Sequence, residues 1–102
     1  MSWATPHVAG LKAGCTVKFR PFGKSMQGRI ESGQLVTVAP VRLEELNVDD
    51  IVLCKVGKSY YLHLIKQISK NRGLEFLIGN TRQGGINGWT SQIFGKCINV
   101  ED

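Results

Sequence analysis

The chain lacks most of the features that assign a protein to a specialised class at sight. No segment approaches the roughly 20 consecutive apolar residues of a membrane-spanning helix. The opening residues, Met1 to His7, have neither the basic n-region nor the apolar h-region of a signal peptide. The expected location is therefore cytoplasmic, with no membrane partner. There is no C-x-x-C pair: Cys15, Cys54 and Cys97 are widely spaced, which supports neither a zinc site nor a dithiol redox motif. An odd cysteine count without a secretion signal reads as reduced thiols, with Cys54 and Cys97 expected in apolar strands. No cysteine has a local activating signature for nucleophilic catalysis. Basic residues exceed acidic ones, giving a net charge of +5, but they are scattered from Lys12 to Lys96. No basic run or helix-turn-helix pattern accompanies them, so a solvated surface is favoured over a nucleic-acid partner. Long helical periodicity, internal repeats and low-complexity tracts are absent too. No cofactor or metal is expected.

What is present describes a small β protein. A length of 102 residues with 42% hydrophobic residues suffices for one core and leaves no room for a second. Short segments alternate or run apolar in the manner of strands: Val17 to Arg20, Leu35 to Val38, Ile51 to Val56, Tyr60 to Ile68, Leu74 to Ile78 and Ile93 to Val100. Gly57-Lys58 predicts a tight hairpin connection, and Asn71-Arg72-Gly73 a second turn. Val41 to Leu46 is at most a short helical turn. The fold class is mostly β, with hairpins curled into a sandwich or partly open barrel.

The chemistry-bearing segment is Gly23-Lys24-Ser25-Met26. A serine hydroxyl needs a base within hydrogen-bond reach to become a nucleophile, and a preceding glycine lets the backbone turn to present it. Downstream come Ile30 to Val38, then Asp49-Asp50-Ile51-Val52-Leu53, then Tyr60 to Ile65 with His63 at its centre. Phe76-Leu77-Ile78-Gly79-Asn80 and Ile93-Phe94-Gly95-Lys96-Cys97 follow.

This order resembles the S24/S26 serine peptidase superfamily, which contains the LexA-like self-cleaving repressor domains and the signal peptidases. The resemblance covers roughly residues 17 to 100. It implies a peptidase-like domain over 17–102, preceded by an N-terminal segment, 1–16. It also implies that Ser25 is the nucleophile, that Gly23 shapes its turn and that Met26 lines the substrate groove. The superfamily's base is commonly a lysine thirteen residues after the aspartate of G-D-I-V. Counting from Asp50 lands on His63, the residue type carried there by the archaeal and endoplasmic-reticulum signal peptidases. The chain thus looks like a Ser–His variant.

Lys66 is the competing base, but an odd offset from His63 puts it on the opposite strand face unless a bulge intervenes. Asn80 stands where histidine-type signal peptidases carry an aspartate after the closing turn. It either accepts a hydrogen bond from His63 or caps its own turn. The sequence departs from the family pattern at Gln34, at Asp49, and at Gln27-Gly28, where a proline is usual.

The function expected from the resemblance is that of a stand-alone serine endopeptidase-like domain acting on a peptide or protein substrate. Itself is one such substrate, although Ala9-Gly10 and Ala13-Gly14 read as ordinary N-terminal sequence. The alternative is a catalytically weak LexA-like module used for protein–protein interaction or as a homodimer, with Trp3, Tyr60, Tyr61 and Trp89 available for an interface.

Overall fold

The structure, a computed structural model, describes residues 2–102. It is mostly β, with seven strands in one antiparallel sheet: β1 (Val17–Phe19), β2 (Leu35–Ala39), β3 (Ile51–Val56), β4 (Ser59–Ser69), β5 (Glu75–Gly79), β6 (Ile86–Thr90) and β7 (Gln92–Glu101). Their order across the sheet is β1-β2-β7-β3-β4-β5-β6. A single short helix, α1 (Thr5–Lys12), precedes them, and one 3-10 turn spans Leu43–Glu45.

The apolar runs of β3 and β4 follow from burial on both faces of the sheet. Val36, Val38, Ile51, Leu53, Leu62 and Leu64 point to one side, where Val8 and Leu11 of α1 close over them together with Met26 and Ile30. Val52, Cys54, Ile65, Phe76 and Ile78 point to the other, covered by Leu46. With both faces dry, strict alternation gives way to continuous apolar stretches, and Ile51 to Cys54 are all buried. The Gly57-Lys58 hairpin forms as expected: β3 and β4 pair directly up to Val56↔Ser59. Gly57 takes a φ of 60°, a left-handed value suited to glycine at the head of a two-residue loop.

Two elements go beyond the sequence expectation. The N-terminal segment contains α1, with Pro6 in its first turn, the position proline tolerates best. The helix belongs to the same core as the sheet. It seats against β7 at Gly95, where an added Cβ would meet Ala39 O at 2.7 Å and Leu11 Cδ2 at 2.9 Å. Strand β6 is the other addition. It forms because Leu77 pairs with Trp89 and Phe76 with Thr90, although Asn87-Gly88 within it is a turn dipeptide by composition.

Candidate active site

Between β1 and β2 the chain makes a long excursion that is tied down by its own hydrogen bonds. Arg20 Nη1 donates to Gly33 O at 2.8 Å, Gly33 N–H to Pro21 O at 2.8 Å, and Gly23 N–H to Ser32 Oγ at 3.1 Å. Gly23 has φ 127°, a backbone state open in practice only to glycine. Immediately after it, Gln27 N–H donates to Lys24 O at 3.3 Å and Ile30 N–H to Met26 O at 2.7 Å, winding a compact turn. Met26 and Ile30 plunge into the core at 5% and 4% exposure. The turn is thus nailed to the sheet while Ser25 stays exposed.

A second hold comes from the β5–β6 hairpin. Thr81 N–H donates to Ser25 O at 3.1 Å, and Thr81 Oγ1 donates to Gln27 O at 2.9 Å. Ser25 is therefore held both by the bonds of its own excursion and by Thr81, which is distant in sequence.

His63 lies inside the apolar run of β4, opposite Val52 and only 7% exposed. Its Nε2 is 3.1 Å from Ser25 Oγ, and its Nδ1 is 2.6 Å from Asn87 Oδ1. An amide oxygen only accepts, so Nδ1 carries the hydrogen. Nε2 then presents its lone pair to the Ser25 hydroxyl, which is the tautomer a general base requires. The Tyr61 ring stacks on the imidazole with centroids 5.0 Å apart. Burial pushes the His63 pKa below its ordinary value, partly opposed by the hydrogen bond to Asn87. The ring is therefore neutral, and able to take a proton, at neutral pH.

The remaining expected residues fall out as follows. Asn80 does not orient His63. Its Oδ1 accepts from Arg82 N–H at 2.9 Å and packs against Gly85, so it caps its own turn. The partner of His63 is Asn87, seven residues further on in β6. Lys66 sits at a bulge, where the β4–β5 register shifts between Ile65 and Gln67. Even so, its stem lies across Gly79, with Cε 2.9 Å from where a Cβ there would be, and it does not line the cavity shared by Ser25 and His63. Ala9 and Gly10 are inside α1, so the peptide bond between them is helical rather than extended towards Ser25. Burial drives the Cys54 thiol up to about 12 and raises that of Cys97 as well, which keeps both protonated and unreactive. Among the described residues, no group of three or more His, Cys, Asp or Glu is arranged to hold a metal ion.

Asn87 and Thr81 carried no sequence signal of their role. Asparagine is poor in strands, and beside Gly88 it resembles a turn. Only the folding of β6 onto β5 brings it under the imidazole.

Ser25 and His63 open onto a cavity of about 410 Å³ walled by Trp3, Phe19, Phe22, Met26, Tyr60 and Tyr61. Along this cavity β4 is a half-open strand. Strand β5 pairs with it only from Leu64↔Gly79 onward, so Ser59 to His63 are covered by β3 alone. Ile65 N–H donates to Asp50 O. By the alternation of an antiparallel ladder, the backbone groups of Leu62 and Tyr60 then face the uncovered side. Comparison of the chain with protein families and with curated proteins returns no match.

Proposed function

We propose that this chain is a serine endopeptidase-type domain of the S24/S26 kind, with Ser25 as nucleophile, His63 as general base and Asn87 as the residue that orients the base. The observation that carries this reading is the linear relay itself, Ser25 Oγ to His63 Nε2 at 3.1 Å and His63 Nδ1 to Asn87 Oδ1 at 2.6 Å, at the mouth of a cavity edged by an uncovered strand.

The chemistry follows from the geometry. A peptide in extended form adds to the open edge of β4, exchanging backbone hydrogen bonds with Tyr60 and Leu62. Ser25 Oγ attacks the scissile carbonyl carbon while its proton passes to His63 Nε2. Among the described residues, no protein group accepts from the Ser25 N–H, so this donor is available to the oxyanion. The imidazolium returns the proton to the leaving amine, which leaves an ester on Ser25. Water, deprotonated by His63, then hydrolyses that ester. Asn87 holds the tautomer but contributes no negative charge to the imidazolium, so turnover is slow compared with a carboxylate-assisted triad.

The test is covalent labelling with a fluorophosphonate probe read by intact mass. One adduct on Ser25 is expected, absent in Ser25→Ala and slowed on the order of 10²–10⁴-fold in His63→Ala. A rate unchanged in His63→Ala refutes the proposal.

One observation favours the alternative of an interaction module. The outer strand β6 leaves Ile86 and Trp89 exposed at 52% and 44% beside an unpaired sheet edge, which suits strand addition by a partner or a second copy. Absence of labelling, with dimerisation abolished by Ile86→Lys, is the outcome that selects it.

A further inference from the structure

The cavity beside Ser25 is larger and more aromatic than catalysis needs, and its rim is charged. Trp3, Phe19 and His7 form one cluster on its wall: the His7 and Phe19 rings stack at 4.3 Å, and Trp3 meets Phe19 at 5.8 Å. Phe22 stands 82% exposed and Trp3 51% exposed, although both line the cavity. A small side chain such as alanine leaves most of a space of about 410 Å³ unfilled and these rings wet. At the Tyr60 end the charge is positive. Lys55 Nζ lies 5.2 Å from the Tyr60 ring centroid, and Lys12 Nζ lies 5.5 Å from that of Phe94, which itself meets Tyr60 at 6.0 Å. Neither lysine has a carboxylate partner among the described residues; both stand beyond the lining, on which Arg20 is the cation. Glu31 is the one acidic residue there, and its carboxylate accepts from Gly28 N–H.

We infer that the groove selects an extended peptide segment carrying a bulky aromatic side chain, with acidic residues two positions away on either side, where an extended chain returns to the same face. The inference rests on the peptidase reading for the placement of the segment along β4. The aromatic side chain fills the space between Trp3, Phe19 and Phe22, while a carboxylate two residues away, on the same face, meets Lys55 beside Tyr60. Fully burying a phenylalanine side chain corresponds to an affinity gain of about tenfold or more. The charge pairing is exposed and adds a smaller, salt-sensitive part.

The experiment uses Ser25→Ala, so that binding is read without cleavage. A fluorescein-labelled decapeptide of alanine and glycine carries one phenylalanine, walked along the sequence, with a glutamate two residues away on each side. Fluorescence polarisation compares it with versions having alanine for phenylalanine, or lysine for the glutamates. At the best position the phenylalanine peptide is expected to bind about tenfold tighter than the alanine one. Phe22→Ala should erase most of that gain, and at 82% exposure the side chain lies outside the core, so an unchanged denaturation midpoint is expected beside the lost binding. Lys55→Glu should reverse the preference between glutamate and lysine peptides. Equal binding of phenylalanine and alanine peptides, or no binding of either, overturns the inference. Selective binding to Ser25→Ala without cleavage of the same peptide by the parent protein supports the inference and removes the peptidase reading instead. Cleavage without aromatic selectivity does the reverse.

Discussion

Replacing Asn87 by aspartate isolates the electrostatic part of the proposed relay. Asn87 Oδ1 already lies 2.6 Å from His63 Nδ1, so Asn87→Asp changes charge with little change of shape. In the ground state the neutral imidazole gains little. In the transition state of the proposed reaction it becomes imidazolium, and a carboxylate with its charge about 4 Å away contributes on the order of 4 kcal/mol at an effective dielectric constant near 20. Part of this is offset by desolvating the new carboxylate at a half-buried position. About 1–3 kcal/mol remains, a rate gain of roughly ten- to a hundredfold. The gain is smaller than the loss in a triad whose aspartate becomes asparagine, because that change also disturbs the tautomer, which Asn87 here already sets. The assay is the pH dependence of fluorophosphonate labelling of Ser25. Asn87→Asp should label faster at neutral and higher pH, with the midpoint of its rate profile moved upward by the adjacent negative charge. Asn87→Leu should label more slowly than the parent, since it leaves Nδ1–H without a buried acceptor. An Asn87→Asp protein that folds normally and labels no faster at any pH refutes the role given to Asn87. So does a ring nitrogen NMR spectrum placing the hydrogen on Nε2 in the parent.

Three further outcomes follow from the same structure. Burial lowers the His63 pKa, so labelling should rise with a midpoint below about 6.5 and persist in mildly acidic buffer; a midpoint above 7 contradicts this. For the same reason the unfolded chain binds more protons at that site, so stability from His63 is fully present above pH ~6.5 and lost as pH falls through the lower folded value. Denaturation midpoints across that window should fall more for the parent than for His63→Gln. Asp49 is the one described non-glycine residue with positive φ, 76°, and its side chain makes no hydrogen bond there, so Asp49→Gly should stabilise by about 0.5–1 kcal/mol in urea denaturation. Gly95→Ala should destabilise by about 1–3 kcal/mol, because its Cβ is forced to 2.7 Å from Ala39 O and α1 must lift; an unchanged midpoint shows that the helix is not seated there.

Some of this organisation is legible in the residues alone. The apolar runs of β3 and β4 are strands whatever surrounds them, since β-branched and aromatic residues at this spacing fit a pleated, buried surface. Gly57-Lys58 is a hairpin by local chemistry. Ser25 after Gly23, and His63 amid leucines, mark the proposed nucleophile and base by residue type. Helix α1 is different. At eight residues it is too short to be stable in isolation, and it carries Gly10 in its interior. It forms because Val8 and Leu11 find the sheet, a contact invisible in the local pattern.

The choice between Asn80 and Asn87 separates sequence from tertiary structure most clearly. The two side chains are chemically identical, and Asn80 stands where the family resemblance directs attention. The sequence by itself determined that this is a mostly β chain with a serine presented on a turn and a histidine on a strand. Which asparagine serves the histidine was decided by the β5–β6 pairing and its register shift between Ile78 and Gly79, which turns Asn80 into its own loop and Asn87 under the imidazole. In a strand, one residue of slip exchanges the faces. Register depends on partners far along the chain, so a group's identity is written locally while the direction it faces is set only once the sheet has formed.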